Sequence, residues 1–274
     1  MNNIILFTVR SGSTAFADIL SYSTKTINLG ESHSCARDYN YNTPSNKQTD
    51  LYKLFFNSNL TNNFYNMRTK GGDYIGLLKA RKKRSDVLKT TKLGWTIKEQ
   101  TDKITMDQEF VDYWAKSGAN IYMTYRKDLV NQFTSFINAR YRTEVVKFPD
   151  NNHFIFTNQT QPIRYSEMFV NYSWLHNYLN VFLAQIMLWR VTYEKYKNVA
   201  QLVCYEDHVK PMNFEAFGIE KATVESYRNE QQHLVPTPFN SNTLIVNDDH
   251  PSPVVDAWSQ SLYLVSKHQY LVEV

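Results

Sequence analysis

The sequence is poor in the residues that mark fibrous, disulfide-stapled or membrane-spanning proteins. Glycine and proline each occur eight times in 274 residues, which excludes collagen-like and low-complexity chains. The two cysteines, Cys35 and Cys204, are far apart and belong to no cysteine–histidine cluster with zinc spacing, so they predict neither a disulfide framework nor a structural zinc site. The most apolar stretch after the N-terminus, residues 181–189, is too short to cross a membrane.

The sequence also has no large excess of positive or negative charge. The 30 Lys and Arg residues face 26 Asp and Glu residues, and the net charge of +4 excludes a histone-like polycation. We interpret the one dense basic run, residues 79–84, as a solvated surface, with docking of an anionic acceptor as the alternative. The N-terminus lacks the charged start and long apolar core of a signal peptide. We therefore expect a cytoplasmic protein that neither crosses a membrane nor binds nucleic acid.

Short apolar runs alternate with helical patterns along the chain. The predicted strands cover residues 4–9, 26–29, 93–98, 121–125 and 200–205. The predicted helices cover residues 15–22, 107–116, 127–141 and 174–197, and an apolar stripe along the last of them predicts a face buried in the core. This alternation predicts a three-layer α/β fold in which helices flank a central parallel sheet. We expect residues 1–274 to form one domain, with an insertion or lid at residues 142–172.

A polar turn, Arg10-Ser11-Gly12-Ser13-Thr14, joins the first predicted strand to the first predicted helix. The first N–H groups of a helix lack partners within it and carry partial positive charge, so they attract anions. Glycine lets the backbone approach a ligand closely, while the three hydroxyls and the Arg10 guanidinium add hydrogen-bond donors. The turn therefore predicts an anion site. The alternative is an ordinary strand-to-helix turn capped by Ser13.

This turn, together with Thr8 and Val9 before it, resembles the loop that binds the 5′-phosphosulfate in sulfotransferases dependent on 3′-phosphoadenosine 5′-phosphosulfate (PAPS). Members of that family begin with a strand, a PRSGST-like or PKSGTT-like loop and a helix. The sequence departs from the family at Val9, where proline is usual, and that position contributes only backbone. The resemblance implies a P-loop-like fold, PAPS as co-substrate without a required metal, and transfer of a sulfuryl group to a hydroxyl acceptor.

The resemblance extends to a second motif, in which an arginine at the end of a later strand and a serine in the following helix hold the 3′-phosphate of the nucleotide. Arg126 and Ser135 match these places. The order Arg-x-Asp-x-x-x-Gln-x-x-Ser is similar to that of bacterial sugar sulfotransferases of the trehalose-sulfating type, which implies a carbohydrate or glycoconjugate acceptor. Many other branches place the serine one residue earlier, at Thr134. At about 100° per residue, Ser135 lies off the apolar stripe of its helix on the side of Asp128, and Thr134 lies on the opposite flank.

The resemblance also implies which groups carry the chemistry. Arg10 neutralises charge on the departing phosphate. In carbohydrate sulfotransferases a glutamate at the end of the second strand faces the acceptor, and Glu31 matches that place as the base, a role that partial burial would favour by raising its pKa. His33, whose ordinary pKa lies near neutral pH, is the alternative base. Family members often have a lysine that reaches the sulfonate, and Lys98 is a candidate for it.

Two further segments match the family less closely. The run Tyr205-Glu206-Asp207 is similar to a family segment that follows a late strand, and we expect its two acids to cap or brace the nucleotide loop. Residues 220–274 depart from the family patterns, although Lys221 or Arg228 is a candidate for an additional 3′-phosphate contact.

Two other function classes stand as alternatives. One is a P-loop kinase, but the turn lacks the first glycine and the lysine of GxxxxGK[ST] that cradle a magnesium triphosphate. The other is a non-catalytic polyanion binder that uses residues 79–84 and whose affinity depends strongly on salt.

Overall fold

The computed structural model describes residues 1–31, 94–101, 108–144, 172–230 and 253–274. Its strands are β1 (Asn2–Phe7), β2 (Ile27–Glu31), β3 (Trp95–Gln100), β4 (Asn120–Tyr125) and β5 (Ala200–Cys204). Its longer helices are α1 (Ser13–Thr24), α2 (Gln108–Lys116), α3 (Leu129–Glu144), α4 (Tyr172–Tyr196), α5 (Lys221–Glu230) and α6 (Pro253–Lys267). Its short helical turns are a π-helix at Tyr205–Val209 and 3₁₀ helices at Glu215–Phe217 and Gln269–Val272.

The five strands form one sheet in which every neighbouring pair is parallel. Their order is β2-β3-β1-β4-β5, so β1 lies in the centre with β3 on one side and β4 on the other. This arrangement confirms the predicted α/β fold with a central parallel sheet. After β1 the chain continues to β2 at one edge, and after β4 it continues to β5 at the opposite edge. In open α/β sheets, ligands bind at the carboxyl ends of two neighbouring strands whose onward connections lead to opposite edges of the sheet.

Side chains of β1 alternate between the two faces of the sheet, as expected of a strand covered on both sides. Ile4 and Leu6 are fully buried in the apolar cluster that they form with residues of α2, α3, α4 and α6. Ile5 is fully buried in a second cluster with residues of α1 and α5. One layer of helices therefore covers each face of the sheet, in agreement with the predicted three layers.

The long helix α4 presents an apolar stripe to the core. Its buried members are Leu175, Leu179, Phe182, Ile186, Trp189 and Tyr196. The ring of Phe182 lies 5.2 Å from that of Phe133 in α3, and Phe133 in turn lies 5.6 Å from Trp258 in α6. Full burial of a side chain of this size stabilises the fold by roughly 1.5–3 kcal/mol. The prediction that this helix face belongs to the core is confirmed.

Two helix boundaries are set by residues that flank the helices. Helix α3 begins at Leu129 rather than at residue 127, because Asp128 caps it by accepting a hydrogen bond from the Asn131 N–H at 2.9 Å. Helix α2 is followed by Gly118, whose φ of 79° is the left-handed conformation that closes helices. The sequence predicts this glycine as the C-terminal cap, and the prediction is confirmed.

The predicted insertion overlaps the described helices only at its ends. Residues 142–144 complete α3 and Tyr172 begins α4, whereas residues 145–171 lie outside the described residues. His33 and the basic run 79–84 also lie outside them. Among the helices that the structure describes, none is both long and apolar enough to cross a membrane.

Candidate functional site

The two motifs identified in the sequence meet at the carboxyl ends of β1 and β4. Arg10, in the turn after β1, donates a hydrogen bond from Nε to Ser135 Oγ in α3 at 3.0 Å. The hydroxyls of Ser11 and Thr124 are 2.7 Å apart. Thr124 is the register partner of Phe7, the last residue of β1, so the turn that follows β1 begins beside it. Arg10 and Ser135, separated by 125 positions in the sequence, thus belong to one cluster.

The turn after β1 exposes the amino end of α1 at this edge of the sheet. Gly12 occupies the N-cap position with a φ of 81°, and it has no side chain with which to cap the helix. The Phe16 N–H donates to the Gly12 carbonyl at 3.2 Å, so the N–H groups of the three residues between them precede the helical ladder. The alternative of a Ser13 cap is wrong, because Ser13 is the first residue of the helix. A helix terminus of this kind favours an anion.

Gly12 is also required by its protein neighbours. A Cβ at this position would lie 2.7 Å from Cδ2 of Tyr205 and 2.9 Å from Cγ1 of Val209. Both residues belong to the π-helix that follows β5. In the sequence, this glycine indicated only that a ligand can approach closely. In the structure, it also allows the Tyr205 ring to approach the turn.

The hydroxyls of the turn point in different directions. Ser11 is fully buried and donates to the Thr8 carbonyl at 2.8 Å, which leaves its backbone N–H as its means of binding an anion. Thr14, in the first turn of α1, accepts a hydrogen bond from Lys98 Nζ at 2.7 Å. Arg10 adopts a left-handed φ of 61°, a strained conformation of a kind that is often found in functional loops.

Lys98 brings a second cation to the turn from the neighbouring strand β3. Its side chain is only 1% exposed, and its Nζ lies 5.4 Å from the centroid of the Phe7 ring. Asp18 follows Thr14 by one helical turn, and burial raises the pKa of Asp18 to about 6 against the opposing effects of the Lys98 charge and the Asn28 amide, 2.6 Å away. Asp18 and Lys98 thus place a half-buried carboxyl and a buried ammonium beside the first turn of α1.

Arg126, after the last residue of β4, is a buried cation held by three neighbours. Its guanidinium carbon lies 3.7 Å from the centroid of the Tyr205 ring, in a cation–π contact. Nη1 donates to the Asn131 carbonyl at 3.4 Å. Nε lies 3.9 Å from Glu206 Oε1 and has no hydrogen-bond partner among the described residues. Buried donors are nearly always paired, and this one has the Glu206 carboxylate as its nearest described acceptor.

Two acids of the π-helix hold the loop of residues 126–128. The Lys127 N–H donates to Glu206 Oε2 at 2.9 Å, and Lys127 Nζ pairs with Asp207 Oδ2 at 2.5 Å. The hydrogen bond from Lys127 lowers the pKa of Asp207 and so keeps this carboxylate ionised. Glu206 and Asp207 thus brace the loop of residues 126–128, and its role in binding a nucleotide stays a prediction.

Gln132 joins the turn after β1 to α3. It is buried, and its Nε2 donates to Thr8 Oγ1 at 2.8 Å and to the Val9 carbonyl at 2.6 Å. The spacing of the second motif includes Gln132 but assigns it no role. In the structure, this side chain fixes the start of the turn relative to the helix that carries Ser135.

Ser135 and Thr134 are oriented differently, although they are adjacent in α3. Ser135 is directed toward Arg10 at the sheet edge, whereas Thr134 donates its hydroxyl to the Val130 carbonyl of its own helix at 2.9 Å. Of the two candidates for the 3′-phosphate contact, the structure thus brings Ser135 to the cluster.

The remaining candidate residues are Glu31, Lys221 and Arg228. Glu31 is the last residue of β2, and its backbone is the register partner of Lys98, so it lies at the same edge of the sheet as the cluster. Lys221 lies 3.6 Å from Glu215 on an exposed surface, and Arg228 is exposed on α5.

Tyr205 is the residue of the cluster that sequence reasoning undervalued. Its ring packs on Gly12 and lies against the guanidinium of Arg126, so it touches both motifs. The sequence signal was its place before two bracing acids, directly after a buried strand. Nothing in the local pattern indicates which glycine or arginine its ring contacts.

The cluster brings donors from two loops to one edge of the sheet. The amino end of α1 lies with Arg10 and Lys98, Arg10 is bonded to Ser135, and Arg126 follows β4 at the same edge. Within the described residues, no group of three or more His, Cys, Asp or Glu side chains is arranged to hold a metal ion. Comparisons with protein-family models, with curated proteins and with solved structures found no match.

Proposed function

We propose that this protein is a sulfotransferase that moves the sulfuryl group of PAPS to a hydroxyl of a carbohydrate or glycoconjugate. The observation that carries the proposal is the meeting of the two motifs, in which Arg10 of the first bonds to Ser135 of the second at 3.0 Å, at the same sheet edge as Arg126. Either motif alone is weak support. Their contact at the carboxyl edge of a parallel sheet is what two ends of one nucleotide would require.

A P-loop-like fold is part of this proposal. A buried central strand, a glycine-containing turn and a helix amino terminus form a phosphate cradle without any side-chain cation. The order β1, turn and α1 provides these three parts at the middle of the sheet. Arg10 and Lys98 add positive charge to the cradle and support its assignment to the 5′-phosphosulfate.

The 3′-phosphate is assigned to Arg126 and Ser135. Charge-assisted hydrogen bonds contribute about 1.5–3 kcal/mol, more than neutral ones, because the donor carries a full charge. Arg126 is 8% exposed, so this contact would form largely away from water, where it is least screened.

The proposed reaction needs a base, a cation at the leaving oxygen and an in-line acceptor. The acceptor oxygen attacks sulfur, the bond from sulfur to the 5′-phosphate oxygen breaks, and the acceptor proton passes to the base. Arg10 and the amino end of α1 neutralise charge on the departing phosphate. Glu31, at the end of β2, is the proposed base, with His33 as the alternative.

A calorimetric titration with 3′-phosphoadenosine 5′-phosphate and with AMP tests the nucleotide assignment. We expect the wild type to bind the 3′-phosphorylated nucleotide more tightly. In Arg126→Ala this affinity falls about 10–150-fold, the equivalent of the lost contact, while the affinity for AMP changes little. Lys127→Ala is the matched control, since its ammonium pairs with Asp207 on the surface. Equal binding of the two nucleotides by the wild type would sink the assignment.

A second pair of variants tests which hydroxyl contacts the 3′-phosphate. We expect Ser135→Ala to weaken binding of 3′-phosphoadenosine 5′-phosphate by about 2–10-fold, the effect of losing one neutral hydrogen bond. Thr134→Val should leave it unchanged, because the Thr134 hydroxyl is bonded to its own helix. The reverse result assigns the contact to Thr134.

The base is tested by turnover rather than by binding. We expect Glu31→Gln to lower kcat about 10²–10⁴-fold with an acceptor sugar, and to leave binding of 3′-phosphoadenosine 5′-phosphate intact. His33→Ala is the paired variant, and a loss confined to it would transfer the role to His33.

The kinase alternative gains one observation from the structure. The turn lacks a lysine of its own, but Lys98 reaches Thr14 from β3 and provides an ammonium at the turn. Magnesium-dependent turnover of ATP, together with indifference to the 3′-phosphate in the titration above, would favour a kinase over a sulfotransferase.

A further inference from the structure

The loop that carries Arg126 has backbone groups that its flanking elements cannot satisfy. Strand β4 ends at Tyr125, and α3 begins at Leu129, whose N–H is among the first of the helix and has no partner within it. Three of its backbone groups are paired with side chains from elsewhere in the fold: the N–H and carbonyl of Lys127 and the N–H of Leu129. Glu206 accepts the first of these.

Gln269 satisfies the other two. It lies in the 3₁₀ helix Gln269–Val272, 142 positions after Lys127. Its Oε1 accepts a hydrogen bond from the Leu129 N–H at 3.2 Å, and its Nε2 donates to the Lys127 carbonyl. One amide side chain thus binds the loop on both sides of Asp128, the residue that caps α3.

The position of Gln269 is set by the core. Leu271 and Val272, in the same 3₁₀ helix, are buried in the cluster formed with α4 and α6. Arg190 of α4 donates from Nη1 to the Glu273 carbonyl at 2.7 Å. Core packing and this hydrogen bond therefore fix the 3₁₀ helix, from which the Gln269 side chain reaches the loop.

We infer that Gln269 is a positioning residue, which holds the loop so that the Arg126 guanidinium is in place before a 3′-phosphate binds. The inference rests on the proposed function. Glu206 on one side and Gln269 on the other pair three backbone groups of the loop, so less of the loop must become ordered when a ligand binds. It gives residues 220–274 a part in nucleotide recognition that the motifs did not indicate.

The test compares nucleotide preference, which a general loss of stability does not change. Calorimetry gives the ratio of the Kd for AMP to the Kd for 3′-phosphoadenosine 5′-phosphate in the wild type, in Gln269→Ala and in Gln260→Ala. Gln260 is an exposed glutamine in α6 and serves as the matched control. Thermal unfolding without ligand shows that each variant is folded at the temperature of the titration.

We expect the ratio to fall about 3–10-fold in Gln269→Ala, as the loop must now be ordered on binding, and to stay at the wild-type value in Gln260→Ala. An unchanged ratio in Gln269→Ala, or an equal weakening for both nucleotides, overturns the positioning role while leaving the proposed function intact. A wild type that shows no preference overturns both, and it differs from the first failure because the ratio is then already one before any substitution.

Discussion

The turn after β1 and the loop after β4 form the two halves of the candidate site, and they are held in opposite ways. The turn is built from a local run of five residues, and its parts are secured by the sheet and by α3 directly beside it. The loop has one buried cation, Arg126, and its supports come from the π-helix after β5 and from the 3₁₀ helix at Gln269–Val272. The backbone of the turn can bind an anion, whereas the loop depends on one well-placed side chain.

This difference shows which parts of a binding site can be recognised in a sequence. A backbone cradle needs a particular short string, so it is visible in the sequence. A positioned side chain needs supports that only the complete fold brings together. Substitutions in the turn should therefore act on folding, while those around the loop act first on nucleotide preference.

The largest effect is expected from Gly12→Ala. The new methyl group would lie 2.7 Å from the Tyr205 ring, and the φ of 81° disfavours any L side chain. Overpacking and left-handed strain together should lower the free energy of unfolding by about 2–5 kcal/mol, as measured by urea unfolding. Gly118→Ala is the matched control, because Gly118 has a φ of 79° but nothing within 4 Å of its Cβ position. Equal losses in the two variants would mean that Tyr205 does not constrain the turn.

A pH-dependent effect is expected from Asp18→Asn, in helix α1. Burial raises the pKa of Asp18 from 3.8 to about 6, so its stabilising contribution is full below pH 3.8 and is lost as the pH rises through 6. A pKa shift of this size corresponds to a decrease in the free energy of unfolding on the order of 3 kcal/mol between pH 3.8 and 6. We expect urea unfolding of the wild type to show this decline and Asp18→Asn to lack it. A decline of the same size in the variant would assign it to other groups.

A smaller effect is expected from Gln132→Leu, because this substitution removes a link between the turn after β1 and helix α3. The substitution removes the bonds to Thr8 and Val9 and leaves the half-buried Val9 carbonyl without this donor. Unfolding by urea should show a loss of about 1–3 kcal/mol. The control Thr134→Val removes a hydroxyl that is bonded only within α3 and should cost less. The link between the halves is disproved if both variants are equally stable.

The smallest effect is expected from Lys127→Ala. Its ammonium pairs with Asp207 at the surface, where salt screens the attraction and both side chains lose freedom by pairing. The backbone N–H that Glu206 accepts is retained in this variant. We expect no measurable change in Tm at high ionic strength, and a clear decrease there would mean that the surface pair, rather than Glu206 and Gln269, holds the loop.

Much of the fold could be predicted from the sequence, because β1, β4 and α4 carry strong local periodicity and Gly118 is a local signal. The turn was visible for the same reason. The approach of Lys98 to the turn was indicated only by the family resemblance and that of Tyr205 to Gly12 not at all, because both depend on the strand order β2-β3-β1-β4-β5. Gln269 carries no signal at all, since its hydrogen bonds are to backbone groups.

The central place of β1 has a consequence for the synthesis of the chain. Its partners β3 and β4 begin at Trp95 and Asn120, so β1 leaves the ribosome long before either neighbour exists. At about 5–20 residues per second, the wait for β4 lasts roughly 6–24 s. During that time Ile4, Ile5 and Leu6, each fully buried in the finished sheet, are unpaired and apolar. The strand that anchors the site is thus the segment most in need of protection from aggregation while the chain is made.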